Sequence, residues 1–449
     1  MTRAPLRWGV ACALMIAAAP LGAQAQPWPL PDWPTATPAD VGMDEALLMT
    51  ARDYALGGGG SGYVVRSGTL VFSWGSATAL YDLKSTTKSI GVTALGLALM
   101  DGLISLDDRA QSLHPTFGVP PDSNTATGWL PLITVFHLAT QTAGFDKDGG
   151  YTALLFEPGT GWAYSDGGPN WLAECVTLAY HRDLSEVLFE RVFTPLGIDS
   201  ADLNWRTNSY RAATIDGVAR REFGSGVSAD VDAMARIGYL YLRGGMWDGT
   251  RILPASFIDQ ARRPQPELVG LPVTLPGDYF NASDHYGLLW WNNGDGSIPE
   301  VPTDAYWSWG LYESFIIVIP SLDLVVSRAG DSFPPDSSGP YAVLAPFLVP
   351  IVRSIDPGTI PGDAGPGVLD GGSAADGGAP IDGGSGADGG SAMDGHVLPD
   401  GSPPGSPGGS MTGGCSCDAT GRGNPPLFFA ATIALLSVVS CRRRRRTTR

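Results

Sequence analysis

The chain has 449 residues, 43% of them hydrophobic and only 16% charged, so it can bury a sizeable core. Acids outnumber bases 45 to 28, and a net charge of −17 excludes the basic face that nucleic-acid binding needs. Sixty Gly and 37 Pro predict poorly ordered stretches, and five Cys in so long a chain exclude a disulfide framework.

In chain order, residues 1–25 read as a signal peptide. Arg3 and Arg7 form a basic start, Val10 to Ala19 an apolar run, and Ala23-Gln24-Ala25 a small-residue cleavage site. Export permits disulfides, but Cys175 is then the only Cys before Cys415, so the body holds no internal one. The body is expected over 26–355. Gly62 to Arg66 and Thr69 to Trp74 are β-rich runs around Ser67-Gly68, a hairpin pattern. Lys88 to Met100 is apolar on several faces and stops at Asp101-Gly102, as a buried helix would. Helices are also expected over Trp171 to Tyr180, Leu184 to Val192 and Val231 to Leu242. Phe315 to Ile319 and Leu324 to Ser327 read as strands around Pro320-Ser321. Strands at both ends with helices between predict an α/β or α+β body whose first and last strands share a sheet.

Residues 356–413 are a Gly/Asp/Pro linker. Asp370, Asp376, Asp382, Asp388, Asp394 and Asp400 recur every six residues without the apolar residue that a calcium solenoid buries. Residues 414–449 carry Cys415 and Cys417, an apolar run from Leu427 to Cys441 and the cluster Arg442 to Arg446. Fifteen apolar residues are short for a span of about twenty. This order of parts resembles the sorting tags cleaved by myxosortase-type peptidases. The resemblance implies export, surface or outer-membrane attachment, or release after processing. A plain membrane anchor stays open beside it.

The chemistry-bearing motif is Ser85-Thr86-Thr87-Lys88 at the start of the first long helix. Three residues make nearly one turn, so hydroxyl and amine project on one side. The positive helix end favours an oxyanion. A Ser cap with a solvated Lys fits the same four letters. Lysine usage adds a mechanism: of 28 basic residues only Lys84, Lys88 and Lys147 are lysines, and Arg cannot give up its proton in a protein. A Gly-rich loop then presents Tyr164-Ser165-Asp166 before a helix, where a Tyr near a Lys can relay protons; a packed loop Tyr with a turn-forming Asp is the plainer alternative. No zinc, P-loop or Gly-x-Ser-x-Gly pattern occurs in the body, and no metal or cofactor is expected.

Taken in order, the hairpin, Ser85 to Lys88, Asp101-Gly102, Thr142-Ala143-Gly144, Tyr164-Ser165-Asp166, Thr194-Pro195-Leu196-Gly197 and Ile317-Val318-Ile319-Pro320 resemble the serine β-lactamase-related superfamily. That group holds class C β-lactamases, DD-peptidases, esterases and 6-aminohexanoate-oligomer hydrolases. The resemblance implies an antiparallel sheet flanked by helices with an inserted helical subdomain. It implies Ser85 as nucleophile, Lys88 as its activator and Tyr164 as general base and acid. Asp166 stands at an Asn position, where it cannot donate to a substrate amide when ionised. Ser308-Trp309-Gly310 matches the last motif without its cation, which points to esters or amides rather than penicillins. The backbone N–H groups of Ser85 and Leu311 would form the oxyanion hole. Asp166, Ser308, Trp309 and Gly310 are the expected substrate contacts. Trp290, Trp291, Trp307 and Trp309 fall nearby, as pocket wall or as core. A DD-peptidase or β-lactamase is the runner-up, and a surface binding protein without turnover the third reading.

Overall fold

The computed structural model describes residues 27–274, 279, 281–334 and 341–359. The expected signal peptide, most of the linker and the C-terminal tag lie outside them. Among the described residues no helix is long and apolar enough to cross a membrane.

The main sheet has six antiparallel strands: β1 (Ser61–Arg66), β2 (Thr69–Trp74), β3 (Trp291–Asn292), β4 (Tyr306–Trp307), β5 (Phe315–Ile319) and β6 (Leu324–Ala329). Their order is β3-β4-β5-β6-β1-β2, so the first hairpin joins the last strands through the β1–β6 ladder, as expected. The hairpin is tight because Ser67 and Gly68 both take positive φ, the geometry that matches strand twist in a two-residue turn.

Each face of the sheet is covered by helices. Helix α1 (Glu45–Ala55) packs with the late helix Ala345–Arg353, whose Phe347 meets Trp74, Phe315 and Phe333. The other face takes the helix Val231–Leu242, which lies close to β5 and β6. Gly238 makes that approach possible, since a Cβ there would stand 2.7 Å from Val325 and 2.8 Å from Ile316.

The helix that carries the Ser-x-x-Lys motif spans Thr86–Met100 and is buried from Thr86 to Ala98. A helix apolar all round needs neighbours on every side. Gly91 and Gly96 make room for Phe223 and Phe257, since a Cβ there would stand 2.5 Å and 2.6 Å from their rings. It packs on the helix Gly167–Tyr180, which forms part of the helical half of the molecule. The helix expected over 184–192 is α-helical only over Leu184–Leu188. Phe189–Phe193 forms a wider π turn in which Thr194 N–H reaches the Phe189 carbonyl, just before Pro195. That turn sets Phe189 and Phe193 edge to face at 5.2 Å.

Candidate active site

Ser85 precedes the first turn of its helix, with helical φ and ψ, and its side chain caps nothing. The residue is partly exposed while Lys88 is 1% exposed. The plain alternative of a capping Ser with a solvated Lys therefore fails on both counts. Lys88 Nζ donates to Ser85 Oγ at 3.1 Å, to the Gly224 carbonyl at 3.0 Å and to Asp166 Oδ1. The residue before Ser85, Lys84, sits at φ +50°, a left-handed conformation that costs a non-Gly side chain energy and recurs at functional sites. Its amine pairs with Asp82 at 2.6 Å, on the short strand that precedes it.

Tyr164 enters from the Gly-rich loop. Gln141 holds that loop from both sides: its amide donates to the Ser165 carbonyl at 3.0 Å and accepts from Ser165 N–H at 3.1 Å. Lys88 Nζ lies 4.8 Å and Lys147 Nζ 5.0 Å from the Tyr164 ring centre. Tyr164 also stacks on Tyr279 at 5.0 Å and on Trp291 at 5.8 Å. The nucleophile, the buried amine and the phenol expected from the sequence are thus brought together.

Two expected substrate contacts have protein partners of their own. Asp166 Oδ1 accepts from Lys88 and Oδ2 from Lys147 at 2.6 Å. Burial alone would raise its carboxyl, but the two lysines outweigh it and hold the group below the usual carboxylate range. Ser308 is wholly buried, and its hydroxyl accepts from Ile316 N–H at 2.8 Å and from the Thr86 hydroxyl at 3.1 Å. It lies just past β4 and clasps the sheet to the start of the Ser85 helix.

Trp309 follows it in sequence and is partly exposed, 5.7 Å from Trp291. Trp290 and Trp307 are core. Gly310 lies against the motif's backbone: a Cβ there would overlap the Leu83 carbonyl and stand 3.1 Å from the Thr86 nitrogen. Only Gly allows so close an approach. Among the described residues neither the Ser85 N–H nor the Leu311 N–H donates to a protein acceptor. No three His, Cys, Asp or Glu side chains among them gather as a metal site.

A family model for beta-lactamase matches residues 55–345. The chain belongs to the beta-lactamase family. The matched span holds every site residue described above. An uncharacterised protein of Alkalihalophilus pseudofirmus is 24% identical over 267 residues, 56% of this chain and 74% of that one. Among solved structures, a hydrolase with promiscuous acyltransferase activity superposes with a TM-score of 0.52 at 16% identity, covering 69% of this chain and 98% of that one. A family VIII carboxylesterase gives 0.50 at 17%, covering 70% and 99%. A penicillin-binding protein homologue from Caulobacter crescentus gives 0.50 at 16%, covering 64% and 92%. At these identities the likeness is one of fold, the β-lactamase/transpeptidase-like fold with its antiparallel sheet and helices. Members of this family are serine hydrolases, esterases and penicillin-binding proteins among them.

The sequence reading did not give Lys147, Gln141, Gly224 or Asn170 a role. Asn170 is buried and joins two of the site's segments, donating to the Gly149 carbonyl at 2.9 Å and accepting from Gly224 N–H at 2.8 Å. Lysine scarcity was the available signal for Lys147: all three lysines of the chain surround Ser85 or its partners.

Proposed function

We propose that the chain hydrolyses esters or amides through an acyl-enzyme on Ser85. The observation that carries this reading is the partly exposed Ser85 hydroxyl held 3.1 Å from a buried lysine amine, with Tyr164 beside that amine. Ser85 Oγ attacks the carbonyl carbon, and its proton passes into the Lys88–Tyr164 pair. The oxyanion lies between the Ser85 and Leu311 N–H groups. The C–O or C–N bond then breaks, and the leaving group takes the proton. Water adds to the acyl carbon, the pair receives its proton, and the acid departs as Ser85 recovers a hydrogen.

A small ester or amide without a carboxylate suits the site best. The Ser308-Trp309-Gly310 segment offers no cation, and Trp309 and Trp291 give it an aromatic side. A carboxylesterase and a penicillin-binding protein homologue share the fold equally, so the preference for an ester over a penicillin rests on the missing cation. The signal-like residues 1–25 and the tag-like residues 414–449 support action outside the cytoplasm, attached to a surface or released by a sorting peptidase.

The test is intact-mass analysis after incubation with a fluorophosphonate, p-nitrophenyl butyrate and benzylpenicillin in parallel. The expected result is p-nitrophenol release, one phosphonyl group on Ser85 and no lasting penicilloyl adduct. A stable penicilloyl-Ser85 would move the assignment to a DD-peptidase. Silence with all three would leave a binding protein.

A further inference from the structure

Asp166 is the least expected part of the site, and its surroundings give it a function. Its two oxygens are divided between two lysines, Lys88 from the helix Thr86–Met100 and Lys147 from the loop 146–150. That loop is fastened at several points. Asp166 N–H donates to the Lys147 carbonyl at 2.9 Å, and the Ser165 hydroxyl to the Asp146 carbonyl at 2.8 Å. Asn170 holds the Gly149 carbonyl, and Arg211 donates to the Gly150 carbonyl at 2.7 Å and the Gly167 carbonyl at 3.1 Å. Arg211 is itself anchored on buried Glu174 at 2.7 Å. So much fastening serves an amine that meets Asp166 and the Tyr164 ring.

We propose that Lys147 is a positioning residue of the reaction: through Asp166 Oδ2 it fixes the carboxylate that holds Lys88 beside Ser85, and it adds a second positive charge at Tyr164. The proposal rests on Ser85 being the nucleophile. A carboxylate paired with Lys88 alone would cancel that lysine's charge next to the phenol. With Lys147 the trio carries a net positive charge, which favours the phenolate that accepts a proton. Lys147 also satisfies an oxygen that would otherwise leave its partly buried carboxylate free to turn or take up a proton. Two further titratable groups face this carboxylate and feel its charge: Glu222 from the loop before the strand Val227–Ala229, and Tyr286 before β3. Glu222 is paired with Arg206.

The test measures the rate of Ser85 phosphonylation by a fluorophosphonate against pH, with the full chain and its Lys147→Gln, Lys147→Arg, Asp166→Asn and Lys147→Gln/Asp166→Asn variants. Urea unfolding midpoints are taken alongside. Removing one of two cations raises the Asp166 carboxyl. Lys147→Gln should therefore slow labelling about 10-fold and move the acid limb up by about one pH unit. Lys147→Arg keeps the charge and should restore the limb. In the Asp166→Asn background, Lys147→Gln should cost clearly less than it does in wild type, because the route through Asp166 is gone and only the charge at Tyr164 is left to lose. An unmoved profile in Lys147→Gln, additive losses, or a fall in unfolding midpoint with no change in profile would each overturn the proposal. A wild-type chain that fails to label would instead sink the acyl-enzyme reading beneath it.

Discussion

Lys88 shows how one position can demand one residue type. It is buried to 1%, three acceptors surround its Nζ, and Ser85 is one of them. An Arg would keep the charge and even the Asp166 contact, but it has no proton to exchange at working pH and its planar fork is wider than an ammonium. Lys88→Arg is expected to lower kcat/KM for p-nitrophenyl butyrate by about 10²- to 10⁴-fold, the usual worth of a proton-transfer group. Steady-state kinetics on a variant whose circular dichroism matches wild type decides this. At the same scale, the gathering of Ser85, Lys88 and Tyr164 was legible in the sequence, the first two from their one-turn spacing and Tyr164 from the family resemblance and its Gly-rich loop. Lys147 was not: its partner lies 19 positions away, and nothing local says that the loop folds back onto Asp166. Asp166 was legible as a departure from Asn, but its sharing between two lysines depends on the same fold-back of the Lys147 loop.

At the scale of elements, the long periodic pieces read correctly and the short ones did not. The helix Val231–Leu242 and the strands β5 and β6 announce themselves by sustained apolar pattern. Strands β3 and β4 have two residues each, too few for alternation to show, and the four tryptophans whose facing decides pocket from core lie in them (Trp291, Trp307) or next to them (Trp290, Trp309). Ser308 belongs to this scale. Ser308→Ala leaves the Ile316 N–H without its buried acceptor, so stability should fall by about 1–3 kcal/mol with KM unchanged. Chemical denaturation beside kinetics separates that from a substrate contact, which would raise KM and spare stability. The helix Val231–Leu242 has its own pH signature. Asp230 caps it through Ala233 N–H, and burial pushes its carboxyl up to about 7, with Asp232 and Asp202 adding to the push. The folded state thus holds a proton that the unfolded chain releases near 4. That stabilisation is present below about pH 4 and is lost as pH rises through 7. Asp230→Asn keeps the cap acceptor without the charge. Its urea midpoint should match wild type at pH 4 and exceed it at pH 8; equal midpoints at both would refute this account of Asp230.

For the whole molecule, the fold assembles a site from segments far apart in sequence. The start of one helix supplies Ser85 and Lys88, a loop in the helical half supplies Lys147, Tyr164 and Asp166, and the late sheet strands bring Gly310 against the motif's backbone. Buried Glu174 underlies this assembly, paired with Arg211 and bonded to His114 at 2.9 Å. The motifs could be read singly, but their convergence depends on contacts such as Arg211 to Gly150 that no local pattern encodes. The central claim is that Ser85 is the nucleophile these segments converge on. It is tested most directly by measuring fluorophosphonate labelling and p-nitrophenyl butyrate turnover in parallel on wild type and Ser85→Ala. The account predicts one phosphonyl group per wild-type chain, mapped to the peptide of Ser85, with turnover lost in proportion to labelling, and neither label nor turnover in Ser85→Ala. Label on another residue, or ester turnover that survives Ser85→Ala, would contradict it.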